Sequence, residues 1–127
     1  MATRQDFTAG QILTAAQMDD VATAMIAINA QTGTTYTTVL ADDGKLVTCD
    51  NGSSIALTIP PSGSVNYGIG TQLNIMQLGA GVVTITAGVG VTLRSQGSKL
   101  KTNGQYAVAT CCKIDTDTWV VIGNLVA

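Results

Sequence analysis

Residues 70–93, GTQLNIMQLGAGVVTITAGVGVTL, contain three short β-prone runs separated by glycine-flanked turns. The runs cover residues 73–78, 82–87 and 91–93, and the turns are Gly79-Ala80-Gly81 and Gly88-Val89-Gly90. Short β-branched runs between turn residues predict strands. Glycine permits tight reversals because it adopts positive φ without steric cost. We therefore expect a compact antiparallel β unit in this stretch.

The side-chain pattern within these runs predicts which faces are buried. Val83, Ile85 and Ala87 alternate with two threonines, so one face can be buried while the other meets solvent or a second layer. In the preceding run the apolar phase shifts by one residue between Ile75 and Met76. This shift predicts a bulge or a switch of the buried face.

The rest of the chain from residue 34 also has β character. Further strands are predicted over residues 35–40, 45–49, 54–59, 105–114 and 119–125, with a polar loop over residues 94–103. Asp42-Asp43-Gly44 and Asp50-Asn51-Gly52 are hairpin signals, and Asp115-Thr116-Asp117 predicts a turn before the last strand. The prediction is a mainly β domain, residues 34–127, built as an antiparallel β-sandwich or small barrel of about eight strands.

Residues 1–33 are predicted to form an extended arm and an amphipathic helix. The helix begins at a capping box, Thr14-Ala15-Ala16-Gln17, extends to about residue 30 and ends near Gly33. Its apolar stripe consists of Met18, Val21, Met25 and Ile28, spaced three, four and three residues apart. Two interpretations stay open: the stripe is a seam that joins copies of the chain, or the helix packs on its own β domain.

The composition favours a subunit of an assembly. Of the 127 residues, 46% are apolar and only 11% are charged, so a partner that covers part of the surface would suit this chain. The alternative is a small, weakly charged secreted β domain. No apolar run is long enough for a membrane helix, and we expect neither a membrane partner nor a secretion signal.

The ionisable residues give little support to catalysis. Histidine and glutamate are absent, and the aspartate pairs of the β region lie at predicted turns, where they cap their own backbone. We therefore expect no enzyme, no cofactor and no metal site. Arg94, Lys99 and Lys101 form a cluster too small and too poor in aromatic residues to predict nucleic-acid binding, and a solvated loop is the better interpretation.

Two further sets of residues leave alternatives open. Cys49, Cys111 and Cys112 are expected to be free thiols, with a bridge from Cys49 to one of the others as the alternative. Tyr67 and Trp119 could contact a glycan in a surface groove, although a tryptophan in a strand more often lies in a core or an interface.

Several stretches resemble small structural proteins of tailed bacteriophages. The opening FTAGQILTAAQMDDV resembles an N-terminal segment of virion and tail-fibre proteins. The segments TYTTVLADDGKLVTCDNGSSIALTIPP, GIGTQLNIMQLGAGVVTITAGVGVTL and YAVATCCKIDTDTWVVIGNL are similar to a β module of the same proteins. The resemblance implies a non-enzymatic virion protein, made in the cytoplasm of a bacterial host.

Its location on the particle is expected from the size of the chain. With no long shaft, we expect a homotrimeric capsid decoration or cement protein on the outer shell rather than a host-binding fibre. Its partners would be its own copies and the major capsid protein or other virion proteins. Phe7, Ile12 and Leu13 would anchor the arm to the shell, and Met18, Val21, Met25 and Ile28 would form the oligomer interface. The alternative is a short tail fibre or tail tip that binds host polysaccharide through Tyr67, Trp119 or residues 94–103.

Overall fold

The computed structural model describes residues 28–127, and strands dominate this part of the chain. The eleven strands are β1 (Ile28–Gln31), β2 (Thr35–Thr37), β3 (Leu46–Cys49), β4 (Ile55–Ile59), β5 (Gln72–Gln77), β6 (Val83–Ala87), β7 (Thr92–Arg94), β8 (Lys101–Thr102), β9 (Val108–Asp115), β10 (Thr118–Gly123) and β11 (Leu125–Val126). Two 3₁₀ turns, Leu40–Asp42 and Gln96–Ser98, accompany them. The prediction of a mainly β domain is confirmed.

The strands form two sheets around a shared core. Sheet A has the order β1-β3-β5-β9-β10-β7, and sheet B has the order β11-β8-β6-β4-β2. Core side chains come from both sheets, for example Val47 and Leu73 from sheet A and Leu57 and Ile85 from sheet B. The described residues form no closed barrel, so the sandwich part of the prediction is supported and the barrel alternative is wrong.

From β1 to β6 the chain alternates between the sheets, which makes most strand pairs parallel. One pass of the chain comprises a strand in sheet A and the following strand in sheet B. Successive passes therefore place β1, β3 and β5 side by side in sheet A and β2, β4 and β6 side by side in sheet B. The hairpins predicted at residues 42–44 and 50–52 are therefore wrong, as is the antiparallel unit at residues 70–93. Each turn between β1 and β6 carries the chain into the opposite sheet, and the apolar side chains of both sheets point towards the one core.

The turns of neighbouring passes touch each other. The amide of Gly81 donates a hydrogen bond of 2.7 Å to the carbonyl of Asn51, one pass earlier. A Cβ atom at Gly81 would lie 1.9 Å from the carbonyl oxygen of Ser53. Glycine is needed at this turn for close approach, because Gly81 is not among the glycines with positive φ.

The last part of sheet A is antiparallel. β9 pairs with both β5 and β10, and β10 also pairs with β7 in parallel. The turn predicted at residues 115–117 is confirmed, because it joins β9 to β10. Residues 94–103, predicted as a loop, contain the short strand β8 and the Gln96–Ser98 turn.

The inward faces follow a regular alternation. Val83 and Ile85 are buried as predicted, whereas Ala87 is exposed. The predicted bulge or face switch between Ile75 and Met76 is wrong, because β5 keeps one register and buries Gln77 instead. Gln77 is stabilised there because its amide group donates to the Gly79 carbonyl at 3.1 Å and its side-chain oxygen accepts a hydrogen bond from Thr102.

The start of the described chain corrects the predicted end of the helix. Residues 28–31 form β1, paired with β3, and are not the last turn of a helix that reaches residue 30. These residues thus belong with the β domain instead of with the N-terminal segment. Residues 1–27, including the predicted helix start and most of its stripe, lie outside the described residues.

Candidate functional site

The outward face of sheet A is the broadest candidate site. Its side chains alternate with those that enter the core, and the strand register aligns them in rows across six strands. They are Ile28, Ala30, Leu46, Thr48, Gln72, Asn74, Met76, Thr92, Arg94, Val108, Thr110, Cys112, Ile114, Val120 and Ile122. We call this set the outer face of sheet A.

The outer face of sheet A is uncharged over most of its area. Its charged side chains lie near one edge: Arg94 is on the edge strand β7, and Asp115 pairs with Thr118 at the end of β9. Large apolar side chains are nevertheless accessible on it: Ile122 is 57% exposed, Ile114 51% and Val108 40%. Val108 and Ile122 are diagonal neighbours on adjacent strands, and large exposed apolar patches mark interaction sites. The geometry of this face suits packing against another protein surface.

Ile28 connects this face to the predicted interface. It is the one member of the predicted stripe within the described residues, and it is 64% exposed on the edge strand β1. Met18, Val21 and Met25 lie outside the described residues. The predicted shell anchors Phe7, Ile12 and Leu13 also lie there.

The outward face of sheet B has different chemistry. Three neighbouring parallel strands carry threonines on it: Thr35 and Thr37 from β2, Thr58 from β4, and Thr84 and Thr86 from β6. The hydroxyl groups of Thr58 and Thr86 are hydrogen-bonded to each other at 2.9 Å. These side chains offer hydroxyl groups to water, so the two faces of the sandwich differ in polarity.

Tyr67 and Trp119 lie in the core rather than in a surface groove. They are 2% and 1% exposed, and their rings meet edge to face with centroids 5.4 Å apart. The Tyr67 hydroxyl is hydrogen-bonded to Thr38 and to the Val39 carbonyl, and burial raises the pKa of Tyr67 to about 12. Because neither ring presents a free face, the glycan contact predicted at these two residues is wrong.

A cluster of buried polar side chains covers the end of the core beside β1 and β2. The Asp42 carboxylate, 1% exposed, accepts hydrogen bonds from the Tyr36 hydroxyl at 2.6 Å and from the Asn29 amide at 2.7 Å. It also accepts one from the backbone N–H of Val39 at 3.0 Å, so the predicted role of Asp42 in capping its own turn is confirmed. Burial raises the pKa of Tyr36 above its ordinary value, and the hydrogen bond to Asp42 raises it further.

Two other ionisable side chains of the β region also have internal partners. The ammonium group of Lys113, 3% exposed, donates to the Tyr67 carbonyl at 2.7 Å. Asp117 accepts hydrogen bonds from the hydroxyl and the backbone N–H of Ser62, and these bonds lower its pKa. Asp117 thus fixes the Ser62 loop, whereas Asp115 caps the neighbouring amide of Thr116, as predicted.

The cysteines are free thiols, as expected. On β5, Cys49 pairs with Gln77 and Cys111 pairs with Leu73. Because Gln77 and Leu73 are four residues apart on that strand, the two cysteines are separated by about 13 Å along the strand direction. That separation excludes a bridge between these two cysteines within one chain. Cys112 is half-buried on the outer face of sheet A, while Cys111 points into the core and burial raises its pKa to about 12.

Residues 94–103, proposed from sequence as an alternative glycan contact, line two shallow clefts beside sheet A. One cleft of about 190 Å³ is bordered by Ser95, Gln96, Lys99, Val121, Ile122, Gly123 and Leu125. The other, of about 330 Å³, is bordered by Leu93, Arg94, Ser95, Ser98 and Leu100. The clefts share Ser95, so they are neighbours.

Residues 28–127 contain no group of three histidine, cysteine or acidic side chains placed to hold a metal ion. Within that range no helix is long and apolar enough to cross a bilayer.

Comparison with known proteins gives no matching family model, no matching curated protein and no matching solved structure.

Proposed function

We propose that this chain is a non-enzymatic structural subunit of a tailed-bacteriophage virion, most specifically a homotrimeric decoration protein on the outer surface of the capsid. The assignment to a virion rests on the sequence resemblance. The observation that supports a subunit of an assembly is the outer face of sheet A, a broad sheet surface with few charges and several exposed apolar side chains. Such a face is adapted to contact with protein. The threonine-bearing face of sheet B can then meet solvent.

The ionisable side chains of the β domain support a structural role. Asp42, Asp117 and Lys113 each form hydrogen bonds that hold a turn, a loop or a strand in place. Asp42 and Lys113 are almost completely buried, so a substrate in solution does not reach them. These groups therefore act in folding.

The trimer contact is proposed to join two different surfaces. The stripe of Met18, Val21 and Met25 from one chain packs on the outer face of sheet A of the next chain, next to Ile28. A contact between unlike surfaces closes into a ring if the rotation per subunit is 120°. Burial of apolar area stabilises it by about 25 cal/mol per Å².

Substitutions on the two sides of this contact test the proposal. Ile122→Asp on the face and Met25→Asp in the stripe should each convert the trimer to monomer, because each buries a charge without a partner. Val89→Asp is the matched control, since Val89 is 92% exposed in a turn outside the face. Sedimentation velocity measures the oligomer, and circular dichroism checks that each variant is folded. A wild-type protein that sediments as a monomer at high concentration contradicts the trimer.

The reactivity of the Cys112 thiol reports whether the contact forms. Cys112 is the one cysteine on the outer face of sheet A, so its thiol should react slowly with a maleimide in the trimer and faster in the Met25→Asp variant. The Val89→Asp variant should keep the slow rate. Equal rates in all three proteins would show that the face is not covered.

The position on the particle needs a separate experiment. Gold labelling of an epitope-tagged copy in intact virions should place the protein on the capsid surface, and particles that lack it should lose capsid stability but still adsorb to cells. Label confined to the tail contradicts the decoration role.

A polysaccharide-binding tail fibre or tail tip is the second candidate. The observation that favours it is the pair of clefts lined by residues 93–100 and 121–125, which remain accessible although Tyr67 and Trp119 are buried. In that case, particles without the protein should fail to adsorb while their capsids stay stable.

A further inference from the structure

The two neighbouring clefts have the features of a small binding site. They lie where the end of β7 and the following turn, Gln96–Ser98, approach β10 and β11. Their volumes of about 190 and 330 Å³ are at or below the lower end for drug-sized ligands, so they suit one or two small units of a longer chain.

The charge of the site selects for an anion. Arg94 borders one cleft and Lys99 the other, and neither lining contains an acidic residue. Lys101 is exposed on the neighbouring strand β8. In a chain with a formal net charge of −2, this is a local concentration of positive charge. An arginine guanidinium group can bind a carboxylate through two parallel hydrogen bonds.

The neutral side chains of the site fit a sugar. Ser95, Gln96 and Ser98 supply hydroxyl and amide groups that both donate and accept hydrogen bonds. Leu100 and Leu125 supply apolar walls for the C–H face of a pyranose ring. Neither lining includes an aromatic ring, which is the side chain that stacks nucleic-acid bases. The linings therefore offer hydrogen bonds and apolar walls to a sugar, and no base-stacking ring.

The backbone around the site is held in a defined shape. Gly97 and Ser98 both adopt left-handed conformations, with φ of 69° and 56°, and the Ser98 amide donates to the Ser95 carbonyl at 3.0 Å. On the opposite wall, Gly123 has φ of 133°, and a Cβ atom there would lie 2.3 Å from the Val108 carbonyl oxygen. A preformed wall lowers the entropic cost of ordering the site when a ligand binds.

From these observations we propose that the neighbouring clefts bind carboxylated sugar units of an acidic polysaccharide. Arg94 contacts a carboxylate in one cleft and Lys99 a carboxylate in the other, and the serine and glutamine side chains contact the hydroxyl groups. The inference rests on the second candidate function, polysaccharide binding. Ile122 and Arg94 also belong to the outer face of sheet A, so the clefts bind a ligand only where the trimer contact leaves these two residues uncovered.

Binding of a defined acidic oligosaccharide tests the site. The full-length protein is titrated by calorimetry with tetragalacturonic acid and, separately, with the same oligosaccharide fully methyl-esterified. The acid should bind and the ester should bind at least tenfold more weakly, since the charge-assisted hydrogen bonds are lost. Arg94→Gln and Lys99→Gln should each weaken binding of the acid about tenfold.

Lys45→Gln is the matched control, because it removes the same charge from a lysine outside both linings. It should leave the affinity within about twofold. Equal losses in all three variants, or equal binding of acid and ester, would overturn the proposal in favour of unspecific attraction. Absence of binding by the wild-type protein would overturn it too. If the protein is then still a trimer on the capsid surface, only this inference fails and the decoration role stands.

Discussion

Replacing Gly81 with alanine tests the contact between successive passes of the chain. The new Cβ atom would lie 1.9 Å from the Ser53 carbonyl oxygen and 2.6 Å from that of Asn51. Real Cβ atoms essentially never come within 3.0 Å of such atoms, so one of the two turns must move by at least about 1 Å. Both obstacles are backbone atoms, and a side-chain rotation therefore cannot relieve the clash.

The expected cost follows from three terms. Overpacking of a close contact costs about 1–3 kcal/mol. Loss of the hydrogen bond from Gly81 to Asn51, 2.7 Å long, costs a further ~1 kcal/mol. Alanine lowers the conformational entropy of the unfolded chain, which stabilises the folded state by roughly 0.4–1 kcal/mol. We expect the free energy of unfolding to fall by about 2–3 kcal/mol, and Tm by roughly 10 °C for a domain of this size.

The measurement compares two glycine variants at equal protomer concentration. Gly63→Ala is the control, because a Cβ atom at Gly63 meets no atom within 4 Å and its φ is not in the left-handed region. It should leave Tm unchanged or raise it slightly. Thermal and urea unfolding followed by circular dichroism give both values. If Gly81→Ala and Gly63→Ala unfold at the same temperature, the turns do not stack as described.

Three further predictions concern the buried polar and aromatic groups. Asp42→Ala should lower the free energy of unfolding by about 3 kcal/mol, because the buried hydrogen-bond donors around Asp42 lose their acceptor. Asp43→Ala is the control and should change it by less than about 0.5 kcal/mol in the same urea experiment. Equal effects of the two substitutions would contradict the buried polar cluster. Folding raises the pKa of Cys111 and of Tyr67, each to about 12, so their contribution to stability should be complete below about pH 9 and be lost as the pH rises through about 12. Urea midpoints measured from pH 8 to 12 check this, and a constant midpoint would refute it. Trp119, the one tryptophan in the sequence, should show blue-shifted fluorescence emission that acrylamide does not quench, because its ring is buried. Tetragalacturonic acid should not alter this emission. Strong quenching in the folded protein would place the ring at the surface.

The strands could be predicted from sequence because their signal is local. Alternating apolar residues such as Ile55, Leu57 and Ile59 report which side of a strand is buried, and those three are buried in the fold. The turn at residues 115–117 was predictable for the same reason. Local patterns thus identify strands and turns, but they carry no information on which strands become neighbours.

The pairing of the strands could not be predicted, because contacts between distant residues decide it. An Asp-Gly or Asn-Gly turn reverses the chain equally well within one sheet or between two sheets. The choice is made by contacts such as that of Gly81 with Ser53, which are distant in sequence. The bulge or face switch predicted between Ile75 and Met76 was wrong for a related reason. Gln77 can be buried because its hydrogen-bond partner Thr102 lies on another strand, which the local pattern does not reveal.

The outer face of sheet A was also hidden in the sequence. It combines alternate residues from six strands, and its low charge becomes apparent only when the strand order is known. The burial of Tyr67 likewise depends on Thr38 and the Val39 carbonyl, which accommodate its hydroxyl group inside the core. A polar aromatic side chain in a predicted loop gives no local sign of such partners.

The edge of the sandwich formed by β1 and β2 and the outer face of sheet A differ in polarity, and this difference bears on how copies of the chain could associate in the proposed trimer. A stack of parallel passes can in principle grow by adding further strands at its open edge, here β1 and β2. At that end, however, the core is closed by the hydrogen-bonded side chains of Asn29, Tyr36 and Asp42, so a further pass would have no apolar surface to cover. The outer face of sheet A has no such polar closure within residues 28–127. The proposed trimer contact through that face would bury apolar area, whereas end-to-end stacking of the passes would meet the hydrogen-bonded polar cluster.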